Sequence, residues 1–175
     1  IEMGRLLPRD DTEAADIVAH HLTEAGVEIK ANSRATRVAP GQNGGIDLTL
    51  AGPEGEETIA GSHLLVATGR RPGTDGLGLE AARITPDKRG AVPVDRRQRT
   101  ANRRVFAVGD VTGGPAFTHA ASHQASVVLK NALFRLPAKT DTRAMVHVTY
   151  TEPELAQVGL TEAEAREAGY SVRVL

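Results

Sequence analysis

The chain has 175 residues, of which 40% are hydrophobic and 25% charged, and its formal net charge is -1. These values are typical of a soluble globular protein, and the near-zero charge argues against non-specific nucleic-acid binding. The chain has no cysteine, which excludes disulfides, thiolate chemistry and cysteine metal sites within it. No apolar run approaches the ~20 residues that a membrane-spanning helix needs.

The N-terminal part is predicted to start at the end of a strand, over residues 1–4, and to continue into a helix. Acidic and hydroxyl residues at 10–13 are typical of a helix start, and apolar residues recur at helical spacing over residues 14–25. Gly26 supplies a stop signal. A short strand is then predicted over residues 27–29.

The next segment has the pattern of antiparallel strands joined by tight turns. A strand is predicted to begin at residues 36–38, and the Gly/Asn-rich residues 41–45 predict a hairpin turn. Apolar residues alternate from Ile46 to Leu50, and residues 52–55 form a second turn signal. Thr58 and Ile59 are predicted to start the returning strand.

Two continuous apolar runs, residues 63–67 and 105–108, predict buried strands of a parallel sheet. Pro93 lies in a third short run and limits it to an edge strand, because proline cannot donate to a ladder. Gly109 and Asp110 directly follow the second apolar run. Open α/β sheets bind ligands at the carboxyl ends of their strands, so Asp110 is predicted to accept hydrogen bonds from ligand hydroxyl groups.

The C-terminal part is predicted to contain a helix over residues 120–133, followed by a new unit. Alternation from Val146 to Tyr150 predicts its first strand. Glutamates after Thr161 predict a short helix that Gly169 ends. A last strand is predicted over residues 172–175.

Three motifs together resemble one protein family. Residues 100–110 (TANRRVFAVGD) and 67–72 (ATGRRP) resemble the second flavin-binding segment of the pyridine nucleotide-disulfide oxidoreductases, such as mercuric reductase and dihydrolipoamide dehydrogenase. Residues 149–153 (TYTEP) and 158–162 (VGLTE) resemble the start of the dimerisation domain of that family. The resemblance covers essentially the whole chain, in order, and implies an internal fragment of a longer protein.

The resemblance implies an α/β fold made of parts of two Rossmann-like domains, which bind FAD and NAD(P), followed by the start of an α+β dimerisation domain. Residues 1–59 correspond to the C-terminal part of the NAD(P)-binding domain. Residues 60–143 correspond to the second segment of the FAD-binding domain, and residues 144–175 to the dimerisation domain. The parent protein is expected to be a cytoplasmic homodimer.

The resemblance also implies the cofactor-binding residues. The carboxylate of Asp110 is expected to bind the ribityl chain of FAD. The residues at the start of the following helix are expected to lie against the isoalloxazine ring, where backbone N–H groups stabilise negative charge: Ala116, Phe117, Thr118 and His119. Residues implied for NAD binding are Glu2 at the ribose hydroxyls, Ala35 at the adenine and Gly69 at the nicotinamide side.

Glu2 favours NAD(H) over NADP(H), because a carboxylate at this position accepts hydrogen bonds from the ribose and repels a 2′-phosphate. Arg5 is the opposing indication, since an arginine near the ribose can accommodate that phosphate. The implied activity of the parent is hydride transfer from NAD(P)H through the flavin to a disulfide or a related acceptor. No metal site is expected, because His119 and His123 share a helix face without a third ligand.

Several parts of the family's machinery are absent from this chain. It contains no G-x-G-x-x-G motif and no cysteine pair, and it has no C-terminal His-Glu pair. The fragment alone is therefore expected to be inactive, with no catalytic residue of its own. Two alternatives remain open at this point: a relative of the NADH oxidases or ferredoxin reductases, and a non-catalytic dinucleotide-binding or dimerisation module.

Overall fold

The computed structural model describes residues 1–143 and 145–175, so the predicted domain boundary at Ala144 lies outside the described residues. The chain forms two compact units: Ile1–Ala67 together with Val146–Leu175, and Thr68–Met145. Both helices and strands are present, which confirms the predicted mixed α/β class. None of the helices in the described ranges has the length and apolar character required to cross a membrane.

The first unit contains helix α1, Thr12–Glu24, which begins two residues before the predicted start. The Asp11 side chain accepts a hydrogen bond from the backbone N–H of Glu13 at 3.0 Å, and so satisfies one of the unpaired donors at the helix start. Ala15 and Val18 are buried on one face. The predicted stop is confirmed, because Gly26 follows the helix in the left-handed region with a φ of 87°.

We expect Asp11→Ala to lower the free energy of unfolding by about 1 kcal/mol, because the Glu13 N–H loses its acceptor. Asp16→Ala is the matched control, since Asp16 lies on the exposed face of the same helix. Urea unfolding followed by circular dichroism measures both variants. Equal midpoints for the two would contradict the capping role.

The three antiparallel strands of the first unit are β1 (Arg34–Pro40), β2 (Ile46–Gly52) and β3 (Gly55–Gly61), in that order across the sheet. Both predicted turns are confirmed, since they connect β1 to β2 and β2 to β3. Leu50 on the central strand is fully buried. The pairing of β1 with β2 is irregular between Ala35 and Arg37.

Residues 146–175 add a second small sheet and a short helix to this unit. Strands β4 (Val146–Thr149) and β5 (Leu155–Val158) pair antiparallel. Gln157 of β5 accepts a hydrogen bond from the backbone N–H of Asp11 at the start of α1. The short helix α3 (Glu162–Glu167) is preceded by Thr161, which forms a capping box with Glu164. The predicted strand and helix starts are therefore confirmed here.

The second unit is built from loops that pack against one helix, α2, Thr118–Ala132. Ala120, Gln124 and Val127 form its buried face, and the other buried residues of this unit include Ile84, Ala91 and Val92. The helix confirms the prediction over residues 120–133, with a start two residues earlier. A single 3₁₀ turn, Gly109–Thr112, precedes it among the described residues of this unit.

Other predicted strands are wrong for this structure. No strand forms at residues 1–4, 27–29, 63–67, 91–95 or 172–175. Residues 105–108 contain only an isolated bridge between Phe106 and Arg99. Residues 63–67 are exposed, with Leu65 at 87% and Val66 at 70%. The physical reason is the lack of ladder partners: within residues 1–143 and 145–175, no parallel strand lies beside these runs.

Candidate functional site

The turn that carries Asp110 has a fixed backbone. Gly109 is buried and adopts a φ of 76°, a left-handed conformation that glycine reaches at little cost. Its N–H donates to the side-chain Oε1 of Gln124 at 2.6 Å, and its carbonyl accepts from Thr112 Oγ1 at 2.8 Å. The carbonyl of Val111 accepts from the N–H of Val92 at 2.8 Å. Hydrogen bonds therefore hold the residues on both sides of Asp110.

The Asp110 side chain itself is exposed. Its Oδ2 lies 3.6 Å from Nη1 of Arg70, and the two side chains are 55% and 80% exposed, respectively. An ion pair of this length and exposure is weak. The carboxylate therefore keeps most of its capacity to accept hydrogen bonds from a ligand.

Gly69 directly precedes Arg70, the residue whose side chain contacts Asp110. It is exposed, with a φ of 136°, and apart from Gly69 itself and its two chain neighbours no heavy atom lies within 4 Å of the position that a Cβ would occupy. The Arg70 side chain, which follows the predicted NAD residue Gly69 in the chain, thus reaches the predicted flavin residue Asp110.

The start of α2 lies next to the Asp110 turn. A Cβ on Gly109 would lie 3.2 Å from the Cβ of Ala121, in the first turns of this helix. Phe117 and His119 stack their rings with centroids 5.2 Å apart and an angle of 14° between the planes. Ala116, Thr118 and His119 are exposed. The helix N-terminus carries a partial positive charge, so this end of the site suits an electron-rich ligand.

Glu2 and Ala35, the other two predicted NAD residues, lie in the first unit. The backbone of Glu2 pairs with residues 30–33: its N–H donates to the Lys30 carbonyl at 2.9 Å, and its carbonyl accepts from the Ser33 N–H at 3.0 Å. Its half-buried side chain accepts from the N–H of Gly4 at 3.3 Å. Ala35 is exposed at the irregular part of β1, two residues after Ser33.

The guanidinium group of Arg5 is turned towards its own loop. Nη2 donates to the carbonyl oxygens of Pro8, at 3.3 Å, and Asp10, and Nη1 donates to that of Leu6 at 3.4 Å. A cation engaged with three backbone carbonyls has fewer donors left for a phosphate.

An open groove of about 510 Å³ lies between residues 29–33 and the turn that joins β2 to β3. The ammonium group of Lys30 borders it, and the carboxylates of Glu28 and Glu57 raise the pKa of that group above its ordinary value. Its walls combine Ile29, Ala31 and Ser33 on one side with the glycines, proline and glutamates of residues 52–57 on the other, and they include none of the sequence-predicted site residues. Within the described parts of the chain, no cluster of three or more metal-ligating side chains occurs.

Gln124 is the site residue that sequence reasoning missed. It is 6% exposed, and it contacts the Asp110 turn from the buried face of α2. Its spacing in the sequence indicates burial, because Ala120, Gln124 and Val127 follow the i, i+4, i+7 pattern of a core-facing helix side. A polar side chain at such a position needs a hydrogen-bond partner.

Comparison with known proteins gives consistent matches. The sequence model of the pyridine nucleotide-disulphide oxidoreductase family matches residues 1–125, and that of the associated dimerisation domain matches residues 145–175. A mercuric reductase of Streptomyces lividans is 40% identical over 95% of the chain and 35% of its own length. A dihydrolipoyl dehydrogenase of Thermus scotoductus is 38% identical over 98% of the chain and 37% of its own length.

Solved structures agree with these matches. LpdA of Mycobacterium tuberculosis superimposes with a TM-score of 0.84 and 30% identity, over 95% of the chain and 35% of that protein. The HOCl-induced flavoprotein disulfide reductase RclA of Escherichia coli gives a TM-score of 0.82 and 33% identity, over 99% of the chain and 39% of that protein. The chain thus spans roughly 35% to 39% of the length of these relatives.

Proposed function

Because the chain belongs to the pyridine nucleotide-disulphide oxidoreductase family, we propose that it forms part of an FAD-dependent oxidoreductase. The parent enzyme passes hydride from a nicotinamide dinucleotide through FAD to a disulfide or a related acceptor, as a mercuric reductase-like or dihydrolipoamide dehydrogenase-like enzyme. The family membership confirms the resemblance found in the sequence. Catalytic groups of the acceptor reaction are proposed to lie in other parts of the parent protein.

The observation that carries the proposal is the exposed carboxylate of Asp110 on a fixed turn. A carboxylate is an acceptor for several hydroxyl groups at once, which fits the ribityl chain of FAD. The start of α2, with Ala116, Phe117, Thr118 and His119, is proposed to lie at the isoalloxazine end, where helix N–H groups favour negative charge. FAD supplies the hydride chemistry when it is bound, and these residues orient it.

We propose that residues 1–59 belong to the NAD(P)-binding domain, residues 60–143 to the FAD-binding domain and residues 144–175 to the dimerisation domain. The match of the dimerisation-domain model to residues 145–175 supports a homodimeric parent. Tyr150 and Leu160 are exposed apolar side chains in this segment, as expected for surfaces that a second subunit covers. A cytoplasmic location is part of the same proposal.

The absorption spectrum of the purified full-length protein tests the function. We expect a yellow protein with a flavin spectrum, which develops a charge-transfer band on reduction with a dithiol. A flavin spectrum without that band would favour a relative of the NADH oxidases or ferredoxin reductases. A colourless dimer that still binds NAD would contradict the proposal and favour a non-catalytic module.

The preferred dinucleotide is proposed to be NAD(H), with Glu2, Ala35 and Gly69 in contact with it. Glu2 provides the carboxylate for the ribose hydroxyls, and Arg5 is occupied by the carbonyls of its own loop. We expect a higher kcat/KM for NADH than for NADPH in the full-length enzyme.

Glu2→Gln is expected to lower the ratio of kcat/KM for NADH to that for NADPH by about tenfold, because the neutral amide no longer repels a 2′-phosphate. Glu56→Gln, which changes an exposed glutamate on β3, serves as the charge-matched control. Steady-state kinetics with both dinucleotides measures the ratio. A wild-type enzyme that prefers NADPH would reverse the assignment of Glu2.

A further inference from the structure

Gln124 makes an unusual link between the helix α2 and the turn before it. The side chain is buried and uncharged, and its Oε1 accepts the backbone N–H of Gly109 at 2.6 Å. Gly109 is itself buried, so its N–H is largely shielded from water. Without this acceptor a buried donor would remain unsatisfied, which is costly.

The hydrogen bond between Gly109 and Gln124 connects two parts of the proposed FAD site. Asp110 follows Gly109 in the chain, and residues 116–119, which lead into the first turn of α2, are those proposed to bind the isoalloxazine end of FAD. Thr112 and Val92 hold the turn through the carbonyls of Gly109 and Val111. Gln124 holds it through the N–H and connects it directly to α2.

We propose that Gln124 is a positioning residue for the flavin site, which fixes the Asp110 carboxylate relative to the start of α2. It acts through Gly109 and does not touch the cofactor. This inference rests on the proposed function, because it takes the Asp110 turn and the start of α2 as two parts of one FAD site.

Substitutions at Gln124 in the full-length protein test the proposal through the dissociation constant of FAD, measured by flavin fluorescence on reconstitution of the apoprotein. Gln124→Met keeps the length and apolar packing but removes the acceptor, and we expect FAD to bind about tenfold more weakly. Gln124→Glu keeps an oxygen acceptor for the Gly109 N–H, and we expect it to bind FAD more tightly than the Met variant.

Gln98→Met is the matched control. Gln98 is also a buried glutamine of the second unit, at 3% exposure, but its Nε2 donates to Thr140 Oγ1 and not to the Asp110 turn. We expect this variant to lose stability without a comparable loss of FAD affinity. If Gln98→Met weakens FAD binding as much as Gln124→Met does, Gln124 has only a general structural role and the proposal fails.

A double-mutant cycle with Asp110→Asn separates positioning from stability. If Gln124 acts through the Asp110 turn, the losses of FAD affinity in the two single variants do not add in the double variant. Additive losses would overturn the proposal. A wild-type protein that binds no FAD removes the proposed function and this inference together, whereas wild-type-like affinity in Gln124→Met removes the inference alone.

Discussion

Asp110→Ala in the full-length protein is expected to yield enzyme that is purified largely without FAD. Hydrogen bonds to a charged acceptor contribute about 1.5–3 kcal/mol each, so the loss of one or two of them weakens binding by about 10- to 100-fold or more. The backbone of the turn should survive, because its hydrogen bonds involve Gly109, Val111 and Thr112 and not the Asp110 side chain. The ratio of flavin to protein absorbance measures the occupancy.

Asp141→Ala is the matched control for this result. Asp141 is another exposed aspartate paired with an arginine, and its Oδ2 lies 2.6 Å from Nη2 of Arg143. The hydrogen bonds from Arg143 hold the pKa of this carboxyl well below its usual value. We expect normal flavin content in the control variant. Unchanged flavin content after Asp110→Ala would show that the carboxylate does not hold the cofactor.

Gly113→Ala is expected to be strongly destabilising. Gly113 has a φ of 72°, which costs a residue with a side chain about 1–2 kcal/mol. Its new Cβ would also lie 2.7 Å from the Cβ of Ala91, so the backbone must move at a further cost of about 1–3 kcal/mol. Because Gly113 directly follows the Asp110 turn, we expect a lower unfolding midpoint and weaker FAD retention together.

Gly76→Ala separates the conformational cost of a positive φ from the steric cost of the contact with Ala91. Gly76 has a similar φ of 75°, but apart from Gly76 itself and its two chain neighbours no heavy atom lies within 4 Å of the position that a Cβ would occupy. We therefore expect this variant to lose only the conformational part, about 1–2 kcal/mol. Denaturant unfolding of both variants gives the difference. Equal destabilisation would mean that the contact with Ala91 is relaxed at no cost.

The elements that were predictable from the sequence are those with local causes. Asp11 marks the start of α1, and Thr161 with Glu164 marks the start of α3. The glycine-containing segments 41–45 and 52–55 mark the two turns of the β1–β3 sheet. Each of these signals acts over a few residues, so the chain needs no distant partner to express it.

The two apolar runs show where such reasoning ends. Residues 63–67 and 105–108 have the composition of buried parallel strands, yet in this structure they form no ladder. A parallel strand pairs with strands that are distant in sequence. Its apolar composition indicates burial in a complete sheet, but it does not show whether the partner strands are present.

The candidate site divides in the same way. Asp110 and the start of α2 were predictable because motifs mark them. Gln124 was not predicted, since its hydrogen bond joins residues that are far apart in the chain and no motif marks it. The sequence shows that Gln124 lies on the same helix face as apolar residues of α2, but only the fold identifies Gly109 as its partner.

The two units also differ in how the chain must come together to form them. The second unit is one continuous stretch, Thr68–Met145, whereas the first needs Val146–Leu175 to meet Ile1–Ala67. Contacts between distant segments carry a larger loop-closure entropy and form more slowly. During synthesis on the ribosome, the stretch that carries Asp110 and Gln124 can therefore acquire its internal contacts while residues 1–67, which are made earlier, still await residues 146–175.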